Sequence, residues 1–514
     1  MKTDNHMASG SFVTRHASWY ATRESWPSLA ATFTIGILAY FVFISQHLLH
    51  NHTLRLPWVI ENDQLWAGRW FNLLLMKLNY DADIPVLMPI FSITLGVWSS
   101  FLLLRIWKSD IGSLSQTAVM ASVLTFPAVL SFFYFSYQTP LFFSAWFFAV
   151  HAVCLARDKG WIALGLASLS IMLVLASYQT VLSVFTTVAI CSAIYDLLNA
   201  EQAQVARFRI CIVNLLRSGV AMIAGLILYW MSLKILEIDP PGSTQITALP
   251  ELLNRVFSVA KVSFSHLMLS QPELLSPIKT GLAGILILAI AICTWHLRKT
   301  PLLLLGSLLL WALAVVATKA IFVLVAPDGS TFDYRYNSSL GFLHAFSFWI
   351  VLRYSGRLSP IAILLVAFFV LRFVQADLVR QEVLLRGQQH DLALANRILM
   401  RIETLPDIDT SKTYDLVRIG RYGNYRQSLL KSKGRTYDRI GDGHMDVGEI
   451  SDRWVDEEVF RLLGSSVKFR FQLTDPEFNK KISIARSELL EGRKPWPSDE
   501  SVFISADTIY IYMR

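Results

Sequence analysis

Charge is scarce in this chain, and the scarcity is uneven. Of 514 residues only 16% are Asp, Glu, Lys or Arg, against 54% hydrophobic, whereas soluble domains carry about 25% charge. From Asp377 onward 22 basic and 22 acidic residues share the last 138 positions, which leaves 24 basic and 16 acidic in the first 376. The front therefore carries the whole net charge of +8, and the neutral tail is charged like a water-soluble domain. This split excludes a single globular enzyme, a disordered chain and a dedicated nucleic-acid binder. Cysteine is equally sparse. Cys154, Cys191, Cys211 and Cys293 all fall in apolar stretches, so the tail has no disulfide framework and no thiolate zinc site. No signal peptide is expected in residues 1–28, because the polar run leads into a long apolar segment without a small-residue cleavage site.

What is abundant is apolar sequence in runs of membrane length. Only a helix satisfies its own backbone in hydrocarbon, and about 17–25 apolar residues cross it. Spans are predicted near 29–49, 84–106, 116–136, 140–156, 161–177, 180–198, 211–235, 277–297, 301–326, 338–353 and 359–376. Eleven spans put the termini on opposite sides. Basic residues mark the cytoplasmic connections: Lys2, Arg15 and Arg23; Arg105 and Lys108; Arg157 and Lys159; Arg207, Arg209 and Arg217; Arg298 and Lys299; Arg353 and Arg357. The opposite face receives two longer loops, 50–83 and 236–276, several short turns, and the tail from Asp377. In a bacterium that face is periplasmic. The expected architecture is an all-α polytopic membrane domain over 1–376 and a small periplasmic α/β domain over 377–514.

Acids are nearly missing from the spans: Asp196 sits at a cytoplasmic end, and no Asp or Glu lies at a span centre. Ion-coupled transporters need such a carboxylate, so that class is disfavoured. In the tail, Leu385, Leu392, Leu399 and Ile402 keep helical spacing up to Pro406. A strand is predicted at Tyr414–Ile419, a helix at Arg453–Leu463, a strand at Val467–Leu473 and a helix at Lys480–Glu491. Ser501–Ile504 and Thr508–Tyr512 suit a closing hairpin.

The first outer loop holds the densest chemistry. Glu61 and Asp63 lie within a few residues of Arg69 and of Trp58, Trp66 and Trp70, followed by the apolar helix Phe71–Leu78. Interfacial tryptophans with solvated acids are the bland reading. The functional one is a carboxylate base beside an arginine that binds phosphate. Two further cations lie toward the outer face: Arg335 in Asp333-Tyr-Arg-Tyr-Asn337, with Tyr334 beside it, and Lys319 inside the ninth span. Their bland readings are a pair with Asp333 or Asp328, and snorkelling. Lys234 and Glu237, three residues apart at the end of the seventh span, read as a surface pair.

Four features in order carry a family resemblance: Glu61-Asn-Asp63 with Gly68-Arg-Trp70, the aromatic turn Phe132–Tyr137, Ser177-Tyr-Gln179 between the fifth and sixth spans, and the terminal Lys494-Pro-Trp-Pro-Ser with Ile509-Tyr-Ile. The chain resembles the GT-C class of polyprenyl-phosphate-sugar-dependent glycosyltransferases. Within it, the chain is similar to the serotype-converting O-antigen glucosyltransferases of the glucosyl transferase II type. The resemblance implies an inner-membrane enzyme with an undecaprenyl-phosphate-glucose donor. It also implies an O-antigen hydroxyl of lipopolysaccharide as acceptor. Asp63, with Glu61 as second choice, is the expected base; Arg69, Arg335 and Lys319 are the expected phosphate holders. Trp66, Trp70, Tyr137, Tyr178, Gln179 and Tyr334 are expected to line the substrate cavity. The alternatives are a GT-C enzyme moving another sugar onto lipid A, teichoic acid or another surface glycan, and a non-catalytic glycolipid transporter.

No phosphate-cradling glycine loop, dinucleotide fingerprint or metal cluster is evident, so neither cofactor nor metal is expected. Asp438–Glu449 matches a calcium loop at its first, fifth, sixth, ninth and twelfth positions, but Ile440 at the third cannot ligate, and an Asp/Gly turn is the expected use. His151 is expected to bond a neighbouring helix rather than a metal. Tyr422, Tyr425 and Trp496 suit sugar stacking or core packing.

Overall fold

The computed structural model describes residues 23–46, 48, 65, 67–78, 84, 86–158, 160–199, 203–238, 249–269, 274–324, 334–420, 456–470 and 475–513. Contacts divide the chain into two units, Met1–Ser45 with Ile60–Leu378, and Gln46–Val59 with Val379–Arg514.

Among its described residues, the regular elements of the first unit are all helices. Its elements are α1 (Trp26–Ala39), α2 (Phe71–Leu78), α3 (Leu87–Ile106), α4 (Ser113–Leu124), α5 (Leu130–Tyr134), α6 (Thr139–Arg157), α7 (Trp161–Tyr178), α8 (Leu182–Leu198) and α9 (Gln204–Ile235). They continue with α10 (Leu249–Leu269), α11 (Ser276–Leu297), α12 (Pro301–Ala317), α13 (Ser338–Tyr354) and the first part of α14 (Ser359–Glu403). Large apolar side chains face outward along α9 and α14, among them Ile223, Ile227 and Trp230, and Ile361, Leu364 and Leu371. Apolar exposure on this scale is stable against lipid and not against water, so the chain is a membrane protein. α13, by contrast, buries every residue from Ser338 to Leu352.

Among the described residues six helical stretches are long and apolar enough to cross a bilayer, or seven if the bent pair Ser113–Leu124 and Pro127–Tyr134 makes one span. That is fewer than the eleven spans predicted, for local reasons. The first and ninth predicted spans are helices of only 14 and 17 residues, Trp26–Ala39 and Pro301–Ala317. The bent pair turns by 47°, where Pro127 supplies no amide hydrogen and Phe126 is extended. One long stretch, Trp161–Leu198, is two passes. A straight helix of its 38 residues would be about 57 Å long. Yet Arg217 of α9 donates to the carbonyl of Gly160, at 3.1 Å, while Asn214, one turn earlier, donates to Asp196 at 2.9 Å. The chain must therefore reverse at the 3-10 turn Gln179–Val181.

These contacts sort the unit into two ends. At one end Arg157 grips Asp196 through both carboxylate oxygens, at 2.5 and 3.0 Å, and Trp349 packs on Tyr195 and Trp107. Arg217 also donates to the carbonyls of Ala156 and Asp158, closing the C-terminus of α6. The other end holds Phe132, Phe142, the Gln179 turn, Tyr229 and the region after α12. The segment 236–276 was expected as one of two longer loops. It contains α10, whose Val259 and Ser263 are buried while Phe257 and Phe264 are exposed.

The second unit is a four-stranded sheet with helices on both faces. Its strands are β1 (Thr413–Ile419), β2 (Lys468–Phe469), β3 (Val502–Ser505) and β4 (Thr508–Tyr512), in the order β2-β1-β4-β3. β1 runs parallel to β2 and β4, and β3–β4 is an antiparallel hairpin. Alternation along the strands divides the core. Leu416, Val502, Ile509 and Ile511 pack with Ala395, Ile398, Leu399 and Ile402 of α14 and with α15 (Asp456–Leu462). Val417, Ile419, Phe503 and Tyr510 pack with Phe478 of α16 (Asp475–Ile484). β1, α15 and the hairpin fall where the sequence predicts them, whereas β2 is described only at Lys468–Phe469 and α16 starts five residues before the predicted helix; the parallel pairing of β1 with β4 was not foreseen. Asp438–Glu449, Tyr422 and Tyr425 lie outside the described residues.

Candidate functional site

The reversal between α7 and α8 is the hub of the site. Tyr178 leaves the helical conformation, and the side chain of Gln179 then bonds in three directions. Its amide donates to the carbonyl of Ala67, at 2.7 Å, and to the hydroxyl of Tyr229, at 3.2 Å. Its amide oxygen accepts from Nε of Arg69, at 3.4 Å. Tyr229, on α9, donates its hydroxyl to the carbonyl of Gly68 at 3.2 Å. The chain thus enters α2 through a tight turn, closed by Gly68 N–H to the carbonyl of Leu65 at 2.8 Å. Gly68 has φ +74°, a region that an L side chain enters only at a cost of about 1–2 kcal/mol.

This turn aims Arg69. Its guanidinium lies 4.9 Å from the ring centroid of Tyr178, a cation–π contact. Tyr178 is fully buried beneath it against Phe142 and Phe132. The described partners of Arg69 are therefore neutral, an amide oxygen and a phenol ring, so they orient the cation without cancelling its charge. Trp70 is fixed as firmly: its indole donates to Ser232 at 3.0 Å, and Ser232 donates to the carbonyl of Tyr229 at 2.7 Å. Beside Trp70 opens a groove of about 820 Å³ between α2, α7 and the end of α9, lined mainly by Leu65, Leu73, Leu74, Met172 and Ile235. A fixed cation one residue along the chain from a wall of an apolar groove suits an anionic amphiphile.

Lys319 lies on the other side of the same hub. After α12 the helix breaks at Thr318–Ala320 and resumes as the short turn Ile321–Leu324, which touches Gln179–Val181. The broken backbone is satisfied by hydroxyls from neighbouring helices. Ser339 donates to the carbonyl of Thr318 at 2.6 Å, Thr186 donates to that of Ala317 at 3.2 Å, and Ser183 accepts from the amide of Ile321 at 3.2 Å. Lys319 is 1% exposed. Its ammonium donates to Oδ1 of Asn337 and to the carbonyl of Tyr336, so it is held inside the protein rather than snorkelling.

The structure thus brings together Arg69, Trp70, Tyr178 and Gln179, and sets Lys319 against the same turn. Tyr137 is buried, with its hydroxyl accepting from Gln138 at 2.6 Å. Glu61, Asp63 and Trp66 lie outside the described residues, as do the side chains of Tyr334 and Arg335, whose backbone forms the 3-10 turn Tyr334–Asn337. Sequence reasoning missed Tyr229 and Ser232. Their signal was two polar groups three residues apart near the end of an otherwise apolar span. His151 stacks on Phe147. No curated protein and no solved structure matches the chain. The profile of one family, described as glucosyl transferase GtrII, matches residues 40–352. That segment includes the Arg69 turn, the Gln179 hub, Lys319 and Asn337, and with most of its length matched the chain belongs to this family of membrane glycosyltransferases.

Proposed function

We propose that the protein transfers glucose from undecaprenyl-phosphate-glucose to a hydroxyl of the O-antigen repeat unit at the periplasmic face of the bacterial inner membrane. The observation that carries this reading is the Arg69 guanidinium, held by Gln179 and Tyr178, on the residue before Trp70, which lines an apolar groove. A polyprenyl phosphate has the matching chemistry. Its isoprenoid chain fits a groove lined by Leu73, Leu74 and Met172, and its phosphate fits an oriented arginine.

The step is a direct displacement. A carboxylate of the first outer loop, Asp63 with Glu61 as second choice, takes the proton of the acceptor hydroxyl. The hydroxyl oxygen bonds to the anomeric carbon as the bond from that carbon to the lipid phosphate oxygen breaks. The phosphate leaves with its bonding electrons, and its charge is met by Arg69, Lys319 and Arg335. One carboxylate suffices, because the leaving group needs no protonation; glycosidases use two.

The test is transfer from undecaprenyl-phosphate-glucose to isolated O-antigen by purified wild type, Asp63→Asn and Glu61→Gln. Loss of the base is expected to lower turnover by about 10²–10⁴-fold. Full activity in both variants would overturn the proposed base. Absence of glucose transfer by wild type, with transfer of another lipid-linked sugar, would overturn the donor.

A further inference from the structure

The groove beside Trp70 has one charged residue in its lining among the described residues, Glu237. Its position is unusual in backbone terms. α9 ends in a Schellman closure, with the amide of Ile238 donating to the carbonyl of Leu233 at 2.9 Å and that of Glu237 to the carbonyl of Lys234 at 3.3 Å. The residue at this point of the motif adopts the left-handed conformation, and glycine is the usual occupant. Here Glu237 holds φ +54°, so the chain keeps a β-carbon and a carboxylate where neither helps the helix to end. Trp70 and Ser232 line the same groove, and the indole of Trp70 is locked by Ser232. Met172 lines the groove from within α7, six residues before Tyr178, whereas Glu237 lines it from just past the end of α9.

We infer that Glu237 is a sugar-recognising residue: its carboxylate accepts hydrogen bonds from hydroxyls of the donor's glucose, which packs against Trp70. This rests on the reading of the groove as the seat of a lipid-linked sugar. If the chain lies toward Met172 and the phosphate at Arg69, the hexose occupies the outer end, next to Glu237. A carboxylate takes two hydroxyl donors at once, and an aromatic ring takes the apolar face of a pyranose. The bare lipid phosphate offers no such donors, and its negative charge gains nothing from a second anion. Glu237 therefore separates the glucosylated donor from the spent carrier, which helps the spent carrier to leave.

The experiment measures equilibrium binding of undecaprenyl-phosphate-glucose and of undecaprenyl phosphate to the full chain in detergent, for wild type, Glu237→Gly and Glu237→Gln, with thermal unfolding of each. Wild type is expected to favour the glucosylated lipid by about tenfold, equivalent to about 1.4 kcal/mol. Glu237→Gly is expected to melt higher than wild type, because it relieves the left-handed backbone, and yet to bind the two lipids alike. Glu237→Gln, which keeps one acceptor oxygen, is expected to keep part of the preference. A Glu237→Gly protein that retains the full preference would overturn the inference while leaving the lipid-phosphate site intact. Binding of neither lipid by wild type would overturn the groove reading itself, and this inference with it.

Discussion

The hydroxyl of Tyr229 occupies the space that a β-carbon on residue 68 would need. Gly68 is therefore fixed twice, by its positive φ and by a neighbour from another helix. Gly68→Ala is expected to destabilise the protein and to reduce transfer, because either the turn or Tyr229 must move and Arg69 rides on that turn. Tyr229→Phe removes the obstructing oxygen at the expense of the bond to the Gly68 carbonyl. The two changes are then expected to couple by about 0.5–3 kcal/mol, with the double variant less damaged than the sum of the singles. Thermal or denaturant unfolding of all four proteins measures the cycle, and strict additivity would show that the two residues do not meet.

Arg157 and Asp196 make a different kind of prediction, at the end of the helices away from Arg69. Their side chains are 16% and 5% exposed, and Asn214 completes the group. Arg157→Leu strands a buried carboxylate, with an expected loss of about 3–5 kcal/mol, whereas replacing both partners by leucine is expected to cost less. The folded fraction of either variant is expected to keep the donor KM of wild type. Unfolding curves with kinetics on the folded fraction check both statements; a raised KM in the single variant would show that this end is coupled to the site.

Much of this architecture was legible in the sequence, and the exceptions have physical causes. Period-3.6 apolar spacing through Leu399 and Ile402 marked the tail helix, because its packed face is sequence-local. The extent of that helix was not foreseen, since α14 runs unbroken from the last span into the tail with no proline or cap to mark the change. The basic residues sorted the helix ends, which the contacts of Arg157 and Arg217 gather together. Arg69 was singled out from its charge beside two carboxylates, and Trp70 and Gln179 from the family resemblance. Tyr229 and Glu237 were not, because their roles depend on a hydrogen bond across 161 residues of sequence in one case and on a backbone dihedral in the other.

Ile402 tests how far the tail depends on α14. It is fully buried against the sheet, while Met400, two residues away, is 59% exposed. Ile402→Ala is expected to cost about 2–5 kcal/mol of tail stability, and Met400→Ala to stay within about 0.5 kcal/mol of wild type. Limited proteolysis of the full chain across temperature reads the difference; equal resistance of the two variants would show that the helix face does not support the sheet.

Lys319 separates stability from chemistry most sharply. A buried ammonium costs solvation, and Asn337 with the Tyr336 carbonyl repays part of that through hydrogen bonds. Asn337→Leu removes the side-chain acceptor and leaves the charge in place, so a stability loss of at least about 1–3 kcal/mol is expected. Lys319→Met removes the charge and keeps most of the length and volume, so the fold is expected to be as stable as wild type or more so. If Lys319 meets the charge that develops on the departing lipid phosphate, Lys319→Met nevertheless loses turnover by about 10²–10³-fold. A cation held for the fold predicts the reverse, normal turnover with lowered stability. Turnover and unfolding measured on the same Lys319→Met preparation therefore decide between a group held for the phosphate and one held for the fold.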